Sequence, residues 1–197
     1  MIPLDIIQGQ PIIQQQDLSI SWVAGMTVDG DGAPNCYSPN HAIGLDDLGN
    51  AGHEGNWWGI VCNDYGKPIL QGVNDPFPNY YISTTSLQNH NYGRTDPRRY
   101  VNADTIPFIV VPSVVARKAQ GIVLGCLALV ENIHTKLMVE GVVADLGPNT
   151  HIGEASVAMA RKHLLNCSPR YGGTTDPIFK YTFHPNTPAP GYNLQPL

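Results

Sequence analysis

Apolar and polar residues alternate along this chain in short runs, and Gly, Pro, Asn and Asp bound each run. That is the period of half-buried strands rather than of helices. Strands are predicted over residues 19–24, 57–63, 80–85, 105–111, 122–130 and 136–144, enough to close a small barrel. Turn chemistry separates them at Asp29-Gly30-Asp31-Gly32, Asp64-Tyr65-Gly66, Asn74-Asp75-Pro76 and Gly147-Pro148. One helix is predicted over about residues 155–165, where Val157, Ala160, Leu164 and Leu165 keep a helical repeat and Arg161, Lys162 and His163 suit the last turn. Glu154 lies at its N-terminal edge. No repeat, charge block or long linker divides the chain, so a single domain over 1–197 is expected, with an N-terminal extension over 1–18 and an extended, proline-rich tail over 185–197.

Composition narrows the function classes. Apolar residues make up 42% of the 197 and charged ones 14%, with 20 Gly and 17 Pro, which favours a mostly β domain large enough to bury its own core. The net charge of −5 argues against a nucleic-acid partner and for a cationic ligand. No basic stretch followed by an unbroken apolar run opens the chain, and nowhere do eighteen apolar residues run together. Neither a signal peptide nor a membrane partner is predicted, although a trimmed leader or another export route leaves the compartment open. Cys36, Cys62, Cys126 and Cys167 show no CxxC spacing; unpaired buried thiols are favoured over the three possible disulfide pairings.

Candidate chemistry concentrates in residues 139–161, VEGVVADLGPNTHIGEASVAMAR. Asp145 ends an apolar strand and Glu154 precedes the helix, on either side of the Gly147-Pro148-Asn149 turn. Two carboxyl groups in unlike surroundings are the minimum kit for general acid and general base work on a glycosidic bond. Taken alone, these residues fit an ordinary strand end and helix start better.

Three segments change that balance: AGMTVDGDGAPNCYSP (24–39), YVNADTIPFIVVP (100–112) and VVADLGPNTHIGEAS (142–156). In that order they resemble the chitosanases of glycoside hydrolase family 75. GLDDLGNAGHEGNWWGIV and VNDPFPNYYISTTSL resemble bacterial relatives of that family, so the likeness spans roughly residues 25–165. The resemblance implies an inverting endo-hydrolase of chitosan, a six-stranded double-psi β-barrel with long loops and one or two helices, and catalytic acids at Asp145 and Glu154. Fungal members of the family carry a secretion signal and a cysteine where this chain has Gly30, and the C-terminal tail has no recognised counterpart.

The remaining candidates are read against that expectation. Asp29 and Asp31 lack the further ligands of a calcium loop, since Ala33 and Asn40 occupy those slots, so they are expected to cap a tight turn or to line a cleft that attracts glucosamine ammonium groups. Alternation sends one of Trp57 and Trp58 into the core and the other outward, where it could stack on a sugar. Tyr37 is a further substrate-binding candidate beside Tyr80, Tyr81 and Tyr92, and His151 lies between the two acids, where it could touch substrate or tune Glu154. His53-Glu54 lacks the second histidine of a zincin motif, Ser156 lacks the glycines of a nucleophile elbow, and no phosphate loop or dinucleotide fingerprint occurs. No metal and no cofactor are therefore expected, and the expected partner is a polysaccharide, chitosan or a related amino-sugar polymer. Two alternatives stand beside it: an enzyme cutting peptidoglycan glycan, and a binding module without turnover.

Overall fold

The computed structural model describes residues 2–197, apart from the side chain of Ile2. In chain order its elements are β1 (Ile2–Ile7), β2 (Gln10–Gln14), β3 (Ile20–Asp29), β4 (Gly52–His53), β5 (Asn56–Trp57), β6 (Phe108–Pro112), α1 (Ser113–Lys118), β7 (Cys126–Asn132), β8 (Met138–Gly147), β9 (Glu154–Ser156), α2 (Val157–His163) and β10 (Thr174–Pro188).

The protein is mostly β, built on a closed six-stranded mixed barrel. Around it the order runs β3, β10, β7, β8, β6 and β9, and β9 returns to β3. The pairs β6–β8 and β3–β9 are parallel and the rest antiparallel. Strand periodicity explains the filling. Ile20, Trp22, Ala24, Met26 and Val28 alternate inward along β3, Cys126, Ala128 and Val130 do so along β7, and Phe179, Tyr181 and Phe183 along β10. Trp22 stacks on Tyr181 at 5.8 Å and meets Phe183 edge-on at 5.7 Å. All five residues of β6, which lies between β8 and β9, are buried. Closure removes the exposed strand edges that an open sheet would leave. The β1–β2 hairpin continues antiparallel from β3 and lies outside the ring.

Several predicted elements change. Residues 57–63 and 80–85 do not join the barrel; they sit in the loop region as isolated bridges, Ile60 with Ser83 and Leu70 with Tyr81, around a small cluster of Val61, Ile82 and Tyr100. Their places in the ring are taken by β9 and β10. The residues expected to begin a helix at 155 instead form β9, and Ser156 caps α2 by accepting the Met159 N–H at 3.1 Å. The tail expected from 185 onward belongs to β10 as far as Pro188, and the N-terminal extension is a hairpin. β10 was disguised by its prolines: Pro177 and Pro185 lie in its two register shifts, and Pro188 is its last residue, opposite Cys126 of β7.

All four cysteines are free thiols, Cys36 and Cys126 buried and Cys62 and Cys167 half-buried. Among the described residues, no helix is long and apolar enough to cross a membrane.

Candidate active site

The barrel register sets the two principal acids. Val110 on β6 pairs with Asp145 on β8 to one side and with Glu154 on β9 to the other. Partners across a strand point to the same face. The inward row runs through Ile109, Ala155 and Val28, so Asp145, Glu154 and Thr27 project to the outer face of the wall. The loop after β3 brings further carboxylates to that face. Asp29 ends β3, and Asp31 follows after a turn in which Gly32 takes φ +77° with its α-carbon against the Val101 carbonyl. A β-carbon at Gly32 would lie 2.0 Å from that oxygen. Asp29, Asp31 and Asp145 each present a carboxylate oxygen within 4.8 Å of the others. Asp29 is buried; Asp31, Asp145 and Glu154 are half-buried, so the group borders the surface rather than lying in a sealed cavity.

The four acids sit in different hydrogen-bond surroundings. One oxygen of Asp145, Oδ1, accepts from the Ser86 N–H at 2.9 Å, the Ser86 hydroxyl at 2.5 Å and its neighbour Leu146 N–H at 2.8 Å. Burial raises its pKa and these three donors oppose the rise, favouring the ionised form. Among the described residues none donates a hydrogen bond to the Glu154 carboxylate, and burial, then the charges of Asp145 and Asp46, push its pKa up to about 7. Its carboxylate lies over Gly147, where a β-carbon would come 3.3 Å from Oε2. Asp29 accepts the Asp31 N–H at 2.8 Å, and Asp31 accepts from the Tyr37 hydroxyl at 2.7 Å and the Ser83 hydroxyl at 3.3 Å. Both are driven well above the ordinary carboxylate range, first by burial and then by their acidic neighbours. Among the described residues, none of the four takes part in an ion pair. Asp29, Asp31 and Asp145 are also the described residues whose oxygens could converge on a cation.

No protein-family model and no curated protein matches this chain. The site is therefore read from its own geometry.

Of the residues singled out in the sequence, Asp29, Asp31, Asp145 and Glu154 come together. Trp58 lies near them: it is 59% exposed, its ring N–H holds the Asn50 carbonyl at 2.9 Å, and the next residue, Gly59, packs against Asp31. Trp57 is half-buried against the core, as alternation required. Two candidates are corrected. Tyr37 is 1% exposed, so its ring cannot reach a ligand, and it acts through its hydroxyl on Asp31. His151 has both ring nitrogens occupied, Nδ1 by Gln8 at 3.1 Å and Nε2 by Thr27 at 3.0 Å, which leaves none for a substrate.

Ser86 was not singled out, although it lies within one of the segments that carry the family resemblance. Its only signal was a run of small hydroxyl residues, and a contact 59 positions away in sequence leaves no local pattern. A hollow of about 910 Å³ lies elsewhere, between residues 87–106 and the tail at Tyr192, Asn193 and Gln195, and none of the four acids lines it.

Proposed function

We propose that this chain is an inverting endo-glycoside hydrolase that cleaves β-1,4 linkages of chitosan or a related amino-sugar polymer. The observation that carries the reading is the pairing of Asp145 and Glu154 with one residue, Val110, from opposite sides, in unlike surroundings: burial raises both pKa values, but only Asp145 has hydrogen-bond donors that oppose the rise.

Two strand spacings separate the acids, so their α-carbons stand about 10 Å apart. An inverting mechanism needs its carboxyl groups roughly 6.5–9.5 Å apart, with a water between one of them and the anomeric carbon. Glu154, with a pKa near 7, keeps its proton under mildly acidic conditions and donates it to the departing sugar oxygen. Asp145, its charge held by Ser86 and Leu146, deprotonates the water that attacks from the opposite face through its second oxygen. Asp29 and Asp31 add carboxyl oxygens that can accept hydrogen bonds from glucosamine ammonium groups, and the open face of Trp58 suits the apolar face of a sugar ring. A group of uncompensated acids favours a cationic polymer over the N-acetylated glycan of peptidoglycan.

The test is incubation of the protein with chitosan, chitin and peptidoglycan, reading new reducing ends and, by NMR, the anomer first released. Chitosan cleavage giving the inverted anomer is expected. Cleavage of peptidoglycan alone would identify a wall enzyme, and binding without products a non-catalytic module; either result overturns the proposal.

A further inference from the structure

The β1–β2 hairpin reaches across to the connector between the two acids and ends on His151. Gln8 stands at the hairpin tip with φ +53°. Its side-chain oxygen accepts the Ile152 backbone N–H at 3.0 Å, and its side-chain nitrogen faces His151 Nδ1 at 3.1 Å. A backbone N–H can only donate, which fixes the orientation of the Gln8 amide: oxygen to Ile152, nitrogen to the imidazole. That nitrogen also can only donate, so Nδ1 must accept and carry no proton. The proton of the neutral ring then lies on Nε2 and is donated to Thr27 Oγ1 at 3.0 Å. Thr27 is itself tied to this region: its N–H donates to the Gly153 carbonyl at 2.7 Å, and in the β3–β9 register it is the partner of Glu154.

We propose that Gln8 and Thr27 hold His151 as the neutral, Nε2-protonated tautomer, that this latch positions the connector carrying Glu154, and that protonating His151 releases the hairpin tip. Protonation would place two donors face to face at Nδ1, and the amide cannot turn round without setting its NH₂ against the Ile152 N–H. The surroundings offer a charged imidazole little compensation. The hollow of about 220 Å³ beside the ring is lined by Gln8 and Gln10 from the hairpin, residues 24–27 of β3, and Thr174, Thr175 and Pro177 of β10, none of them titratable. On the elements packed there, the titratable groups are Asp5 of β1, taken by Lys118, the exposed Asp176 and Lys180 and the further His184 of β10, Asp29 at the far end of β3, and Glu154 itself. Burial acts in the same direction, lowering the affinity of the ring for a second proton.

Placing Glu154 as the object of the latch rests on the proton-donor role proposed above; the tautomer and its release do not. The decisive measurement is therefore ring ¹⁵N NMR of His151 against pH in the full chain, its wild type compared with Gln8→Ala and Gln8→Glu. Gln8 lies at an exposed tip, so neither variant endangers folding. The wild type should show the Nε2–H tautomer and protonate below an ordinary histidine, as burial and the amide donor at Nδ1 both require. Gln8→Ala should bring the titration back towards the ordinary value, and Gln8→Glu should raise it by a further unit or so by offering Nδ1–H an acceptor. An Nδ1–H tautomer, or one titration shared by all three proteins, overturns the latch.

With an active wild type, Gln8→Ala should lower kcat several-fold with KM within about twofold, because Gln8 positions and does not bind. A confirmed tautomer with unchanged kcat in Gln8→Ala would refute the positioning role alone. Inactivity of the wild type on every glycan would instead count against the proposed function and leave the latch standing.

Discussion

The acidic group on β3, β8 and β9 and the large hollow beside the C-terminal tail treat charge in opposite ways. In the hollow every guanidinium is matched from within the chain. Arg99 donates to Gln88 Oε1 at 2.8 Å, to the Tyr92 carbonyl at 2.7 Å and to His90 at 2.9 Å, while Arg98 pairs with Asp96 at 2.6 Å and covers the Tyr92 ring. At the acidic group four carboxylates share a small space with no cationic side chain paired to any of them. Ordinary folding does not need that arrangement, because like charges in a desolvated site raise one another's pKa and destabilise the ionised form. Volume marks the first region and uncompensated charge the second, and it is the second that has chemical capacity.

The comparison breaks most visibly through turnover. Asp145→Asn and Glu154→Gln should each cut chitosan cleavage by roughly 10³-fold, the scale of a lost acid or base catalyst, with a cooperative thermal transition retained. Substitution of Arg99 to Met should leave the rate within about threefold. Equal losses at both regions would erase the distinction between them.

Stability against pH sharpens it next. A glutamate in the unfolded chain titrates near 4.5 and Glu154 in the folded chain near 7, so its contribution is full below pH 4.5 and is lost as pH rises through 7. Asp29, Asp31 and Asp145 are raised as well and add in the same direction. The wild-type melting temperature should therefore fall between mildly acidic and mildly alkaline buffers. Glu154→Gln should flatten that slope and stabilise the protein at pH 8 by on the order of 3 kcal/mol. A variant no more stable than wild type at pH 8 would mean that Glu154 is not held protonated.

At the hollow the sign is reversed. Arg99→Met strips Gln88, Tyr92 and His90 of their donor and should destabilise the fold by about 1–3 kcal/mol at every pH, as denaturant unfolding would measure. The smallest effect is expected at the edge of the acidic group, where Trp58→Ala should raise KM for chitosan several-fold, about 1 kcal/mol, with kcat and stability little changed. Added salt should weaken substrate binding at this site, since screening acts on its exposed charges.

Much of the site was legible because it is written in short stretches. Asp29 and Asp31 share one turn, and Asp145 and Glu154 flank another, so local chemistry and the family-like segments both pointed to them. Ser86 and Thr27 were not legible, since each gains its role from a partner far along the chain. Tyr37 was found but misassigned, and of the two roles expected of His151 the contact with substrate is lost, because sequence does not say whether an aromatic ring or a ring nitrogen is already in use. The fold divides the same way. Four of the six expected strands overlap β3, β6, β7 and β8, where apolar residues alternate, as in β3 and β7, or run together, as in β6 and the middle of β8. The other two are loop, and β10 escaped notice because its prolines sit at register shifts that only its neighbours reveal.

What the chain determined by itself was the inventory: a mostly β domain with acidic character, strands with a buried side, and two acids bracketing a turn. Side-chain periodicity and turn propensity are properties of neighbouring residues, so they are readable in one dimension. Tertiary structure alone decided that Val110 stands between Asp145 and Glu154, that three donors converge on one acid while none of the described residues donates to the other, and that a hairpin more than a hundred residues away closes on the connector between them. Those outcomes depend on barrel closure and strand register, which arise from contacts between segments distant in sequence, and a pKa follows from the solvent and charge that closure leaves around each group.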